Sequence, residues 1–145
     1  MMGTNTILQP VIALVLWTMI MWLWMYVTRI PAMQKADIDA NKMVGGKGAD
    51  LDAILPPNVQ WKAHNYNHLL TEPTLFYAIC LSLALLGAGL GFNVTLAWIY
   101  VGLRVLHSLI QATVNRVMFR FMVFALSSIV LIWLAINAAL IAFQG

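Results

Sequence analysis

Two short polar series stand out in a chain that is otherwise mostly apolar. His64, His68 and Glu72 are spaced four residues apart, with Asn65 and Asn67 beside them. Arg104, His107, Gln111 and Asn115 follow at intervals of three, four and four. On a helix, each spacing places its members on one face. A carboxylate, a guanidinium and imidazoles that converge could hold a small anion or move a proton. Arg116 and Arg120 follow the second series closely. They read either as topology anchors or as guanidinium forks for an anionic ligand.

An ionisable group in hydrocarbon costs several kcal/mol, roughly 2.5–3.5 on insertion scales, and persists where it meets a partner in a bundle interior. That matters because the elements that carry these groups are of membrane length. The chain has 145 residues, 62% of them hydrophobic and only 9% charged. Soluble domains carry about 25% charged residues. At about 20 residues per span, the apolar stretches predict four spans near residues 7–28, 62–90, 94–115 and 119–143. One polar loop, 29–61, joins the first two. The expectation is a single all-α domain over 1–145, an integral membrane four-helix bundle.

Aromatic residues, then Arg29 and Pro31, are expected to close the first span. Pro73 follows Glu72 and removes a backbone donor, which predicts a bend beside the carboxylate. A short surface helix is sketched over Ala36–Met43. The GGKG run lacks phosphate-loop spacing and a preceding strand, which excludes a nucleotide-binding reading. Cys80 and the Ser127–Ser128 pair read as small packing residues. The formal charge is +3, but the basic residues are scattered at span ends, which excludes a nucleic-acid footprint. A metal site from His64, His68 and Glu72 would lack a further ligand to close it, so no metal is expected.

Apart from Arg104 within the third span, Lys and Arg are confined to the first and third connections. The positive-inside rule then places both in the cytoplasm and both termini outside; for a bacterial chain this means the inner membrane with periplasmic termini. Glu72 lies 10 residues past Lys62, and Arg104 lies 12 before Arg116. The two charges therefore sit at similar depth, and a Glu72–Arg104 ion pair is predicted.

The run AHNYNHLLTEPTLFYAICLSLALLG, with LAWIYVGLRVLHSLIQATVNRVMFRF after it, resembles the family of membrane-associated proteins in eicosanoid and glutathione metabolism (MAPEG). The strongest pieces are the approach to Glu72-Pro73 and the series from Ala97-Trp98 through Arg104, His107, Asn115, Arg116 and Arg120. The resemblance implies a homotrimer with glutathione as co-substrate, held between subunits near the cytoplasmic face. It implies Arg120 as the group that stabilises the thiolate. Asn67 (or His68), Glu72, Arg104, His107, Gln111, Asn115 and Arg116 would bind or position glutathione. Lipophilic electrophiles or hydroperoxides, drawn from the membrane lipids around the protein, would be the second substrates. Gln111 stands where glutathione-using members generally carry tyrosine, and the usual N-x-x-E tetrad is absent. Two other classes of function therefore stay in view: a non-catalytic member binding lipid or another subunit, and a small exporter coupled through Glu72.

Overall fold

The computed structural model describes residues 6–38, 42 and 44–144. Helix α1 spans Leu8–Lys35, a 3-10 turn covers Gly48–Ala53, and α2 spans Pro57–Leu69. Helices α3 (Pro73–Leu85), α4 (Phe92–Ala112) and α5 (Val117–Phe143) complete the chain. Among the described residues every regular element is helical. Four stretches, with Pro57–Leu85 taken as one, are long and apolar enough to cross a membrane. The protein is an integral membrane four-helix bundle.

Pro31 does not end helix α1. It lies inside α1, which runs on to Lys35. Proline's fixed φ is itself helical, so its ring removes only the one bond to Val27 and the chain winds on. Much of the sketched surface helix over Ala36–Met43 lies outside the described residues. Asp37, just past α1, has φ 56°.

The expected bend at Pro73 is a full break. The α2 and α3 helices are separate, and the N–H groups of Leu70, Thr71, Thr74 and Leu75 all bond three residues back. Proline begins each helix, at Pro57 and Pro73, where its missing donor would be unpaired anyway. The α3–α4 connection turns at Gly91, whose φ of 70° suits glycine.

α4 packs against α1, α2 and α5 and supplies the centre of the bundle. Its buried face repeats at helical spacing through Ala97, Tyr100, Arg104, His107, Ser108 and Gln111. The apolar core joins Leu14, Met21, Phe76, Cys80, Leu83 and Leu134. Cys80 is a buried free thiol, as its packing role requires. Lipid tails are as apolar as leucine, so such helices associate through close packing and interhelical hydrogen bonds. The end nearest residue 6 carries two such ties. Ile7 N–H donates to the Gly89 carbonyl at 3.1 Å. Asn137 donates to Asn93 Oδ1 at 3.0 Å, and Asn93 donates to the Ala88 carbonyl at 3.2 Å.

The other end is fastened by Gln60. Its carboxamide is buried and donates to the Gly48 carbonyl (3.1 Å) and to Asp52 Oδ1 (2.6 Å), while accepting from Arg29 Nη2 (3.1 Å). Gly48 lies so close to Arg29 that a Cβ there would meet Nη1 at 3.1 Å. The Gln60 hydrogen bond, with help from His64, holds the Asp52 carboxyl below its ordinary value of 3.8. A depressed carboxyl stabilises the fold above its unfolded pKa and loses that contribution as pH falls through the folded value. The loop fastening should therefore weaken only below about pH 4. Gln60→Ala should loosen it at neutral pH. Limited proteolysis is expected to cut residues 44–56 faster in Gln60→Ala, with the four spans left intact. Equal cleavage rates would show that the loop is held by other means.

Candidate functional site

Arg104 is fully buried at mid-bundle. Its Nη2 donates to His68 Nδ1 at 2.6 Å. A guanidinium has no acceptor, so His68 carries its proton on Nε2. The His68 ring stacks on His107, with centroids 4.8 Å apart and planes 20° from parallel. Phe124 of α5 lies edge-on to His68 and beneath the guanidinium, 5.9 Å from it.

Glu72 sits at the joint between α2 and α3. Its Oε1 accepts from the Tyr100 hydroxyl and its Oε2 from Ser128, both at 3.0 Å. Arg104 Nη1 stands 3.8 Å from Oε1, so the two charges are adjacent without a short hydrogen bond. Tyr100 in turn stacks on Phe76 at 4.5 Å. Three helices and the α2–α3 joint thus meet around one carboxylate and one guanidinium. A buried guanidinium beside a half-buried carboxylate is tolerable under those terms: the charges adjacent, and each carboxylate oxygen hydrogen-bonded.

Beside this network lies a cavity of about 290 Å³. His68, His107 and Gln111 form its polar wall, Val117, Phe121 and Phe124 its apolar wall, and Arg120 completes the lining. Arg120 Nη1 donates to Asn115 Oδ1 at 2.6 Å, which fixes the guanidinium beside the cavity. Several polar atoms here have no protein partner among the described residues: Arg104 Nε and Nη1, His107 Nδ1, Gln111 Oε1, Ser108 Oγ and both ends of the buried Asn65 amide. Most buried polar groups are paired, so a cluster of unpaired ones beside a cavity is chemically notable. Of the lining residues, His107 and Gln111 each contribute one such atom, Nδ1 and Oε1, both shielded from solvent.

The residues singled out by spacing divide into two sets. His68, Glu72, Arg104, His107, Gln111 and Arg120 come together. Asn115 lies past the end of α4, at φ 49°, and acts from the turn rather than from the helical stripe. Arg116 stands at the start of α5, exposed, with its guanidinium 6.0 Å from the Phe119 ring. Asn67 is exposed, while Asn65 takes the inward position. His64 turns out to Asp52, to which its Nε2–H donates at 2.9 Å. It therefore leaves the His68–Glu72 face, because four-residue steps drift around a helix. Among the described residues no three His, Cys, Asp or Glu side chains are placed to hold a metal ion.

Spacing alone missed Tyr100, Ser128 and Phe124. Tyr100 is one turn before Arg104 and could have been added to the stripe. Ser128 and Phe124 show their role only once α5 is docked.

A family model described as the MAPEG family matches residues 7–140, from the start of α1 into the last turn of α5. No curated protein and no solved structure matches the chain.

Proposed function

The chain belongs to the MAPEG family, and from that premise we propose a membrane-embedded glutathione-dependent transferase or peroxidase acting on lipophilic electrophiles. Family members include glutathione transferases and peroxidases as well as non-catalytic proteins. The observation that carries the reading is Arg120, a guanidinium steered by Asn115 at a cavity that also presents His107 and Gln111.

Glutathione has two carboxylates and a thiol that attacks only as the thiolate. A nearby guanidinium lowers a thiol pKa and binds a carboxylate through a planar fork. In this reading Arg120 faces the thiolate. His68, His107 and Gln111 position the peptide, and Arg104 and Glu72 hold that wall rigid from behind. The thiolate then attacks the electrophilic carbon and displaces its leaving group. With a hydroperoxide it attacks the distal oxygen instead, which leaves glutathione sulfenic acid and an alkoxide that is protonated to the alcohol; a second glutathione then displaces water from the sulfenic acid and forms the disulfide. A cavity of about 290 Å³ in one subunit is at the foot of the usual range of about 300–1,000 Å³. A neighbouring copy in a homotrimer would complete it. Arg116, Asn67 and Asn115 belong to the surface near that junction. The same reading puts this end of the bundle in the cytoplasm and both termini in the periplasm.

A non-catalytic role finds support in Gln111, which offers an amide where a hydroxyl would help hold a thiolate. The exporter reading is weaker. Its coupling carboxylate, Glu72, is already engaged by Tyr100, Ser128 and Arg104.

The test uses the detergent-purified protein. Millimolar glutathione should raise its melting temperature, and conjugation to a chlorinated nitrobenzene or reduction of a lipid hydroperoxide should follow. Binding without turnover would favour the non-catalytic reading. Neither binding nor turnover would end the glutathione proposal.

A further inference from the structure

The His68 ring meets its neighbours through one nitrogen. Its Nδ1 accepts from Arg104 Nη2 at 2.6 Å, the ring's one hydrogen bond among the described residues. Arg104 has no acceptor to offer, so the ring's proton is held on Nε2. His107 stacks on one face and Phe124 stands edge-on, which fixes the ring plane. The ring lines the cavity with Nδ1 already engaged, so Nε2–H is the polar edge it has for a guest. A guanidinium donating into Nδ1 also polarises the ring and strengthens the N–H on its far side. His68 is therefore a donor of set direction, with no lone pair left to accept.

Such a donor serves a reaction in which charge builds on an acceptor atom. Of the two chemistries proposed above, hydroperoxide cleavage does this at the bond that breaks. The S–O bond forms, the O–O bond breaks with its electron pair passing to the oxygen attached to carbon, and that oxygen departs as an alkoxide. An alkoxide accepts a hydrogen bond far more strongly than the hydroperoxide it comes from. A donor aimed at it therefore acts on the transition state more than on the bound substrate. Displacement of chloride from carbon puts no charge on oxygen at the reacting centre. The other wall of the cavity suits the remainder of such a molecule. Val117, Phe121 and Phe124 are apolar. Val117 and Phe121 are also exposed beside Met118 and Met122, so the wall continues onto an apolar surface of the subunit.

We propose that the second substrate is an organic hydroperoxide with a lipid-sized apolar tail, and that His68, besides packing against the peptide, is a catalytic residue whose Nε2–H bonds the departing oxygen. The assignment rests on the glutathione reading and narrows it. Water supplies the proton that completes the alcohol, and the proton shed when the thiol ionised neutralises the hydroxide left behind. The sulfenic acid goes on to the disulfide with a second glutathione.

The test measures kcat at saturating glutathione on the full chain in detergent. One substrate is a fatty-acid hydroperoxide; the other is 4-nitrobenzyl chloride, whose leaving group is chloride. His68→Phe keeps a stacked ring and removes the N–H. The ratio of hydroperoxide to chloride turnover should fall about 100-fold in it, the scale for one lost oxyanion donor. Perbenzoic acid, which releases a carboxylate and needs less help, should lose distinctly less than the fatty-acid hydroperoxide. His68→Gln keeps an N–H on a looser stem, and its ratio should lie between those of His68→Phe and the wild type. An unchanged ratio in His68→Phe would overturn the assignment, as would an unchanged ratio in His68→Gln should His68→Phe not fold. Equal losses on the two peroxides would overturn it too, because a donor to the leaving oxygen matters most for the poorest leaving group. Wild-type turnover of the chloride without the hydroperoxide would end this assignment and leave the glutathione reading standing. Glutathione-dependent turnover of neither would end both.

Discussion

Glu72→Leu is expected to destabilise the protein by about 3–5 kcal/mol, the usual loss when one partner of a buried ion pair is removed. The substitution leaves the fully buried Arg104 without its compensating charge. It also takes the acceptor from two hydroxyls, Tyr100 and Ser128. Glu72→Gln keeps one amide oxygen and should lose less. The informative variant is the double one. If the Arg104 charge is what makes Glu72→Leu harmful, then adding Arg104→Met should recover part of the loss, since an apolar pair of similar volume is often tolerated. Unfolding in mixed micelles, followed for all four proteins, gives the coupling energy. Strictly additive losses would mean that 3.8 Å of separation leaves the charges energetically independent. The Tyr100 and Ser128 hydrogen bonds would then account for the whole effect.

Arg120→Ala should lower glutathione-dependent kcat/KM by about 100-fold, the scale seen when one preorganised donor to a developing or bound anion is lost. The sign of the pH effect separates thiolate stabilisation from simple binding. A thiolate stabilised by Arg120 is present at neutral pH and lost as pH falls through its depressed pKa. Without the guanidinium the thiol returns toward about 8.5, so activity of Arg120→Ala should rise steeply up to that region. Arg120→Lys keeps the charge but not the fork and should fall between the two. Asn115→Ala, which frees the guanidinium from its 2.6 Å anchor, should show a smaller loss with the pH profile unmoved. A reduced affinity for glutathione with no change in the pH profile would leave Arg120 as a carboxylate-binding group only.

Much of this arrangement was legible because membrane helices leave few ways to hide a charge. The spacing of Arg104, His107 and Gln111 fixed one face of α4, and α4 runs unbroken over that length and keeps it. The depth argument brought Glu72 to Arg104 correctly. What it could not supply was the nature of their contact. The shortest bond from Arg104 goes to His68, and Glu72 is satisfied mainly by hydroxyls. Tyr100 and Ser128 read as an aromatic and a small residue in apolar runs, and only the docking of α5 on α4 reveals them as donors. Within one subunit His64 and Arg116 stand apart from the cluster, His64 turned to Asp52 and Arg116 exposed at the start of α5. Each was carried along a stripe past the place where the stripe stops, in one case by helical drift and in the other by the end of α4.

The interruption between Leu69 and Pro73 has a mechanical consequence. A rod cut at the height of its embedded charges behaves as two rods sharing a pivot. The upper rod, α2, carries His68 and the Gln60 fastening; the lower, α3, is seated mainly by apolar packing through Phe76, Cys80 and Leu83. Swinging the upper rod would widen or narrow the recess beside His107 while the lower one stays seated in the bilayer. The loop clasped by Gln60 would then be the handle that sets the angle.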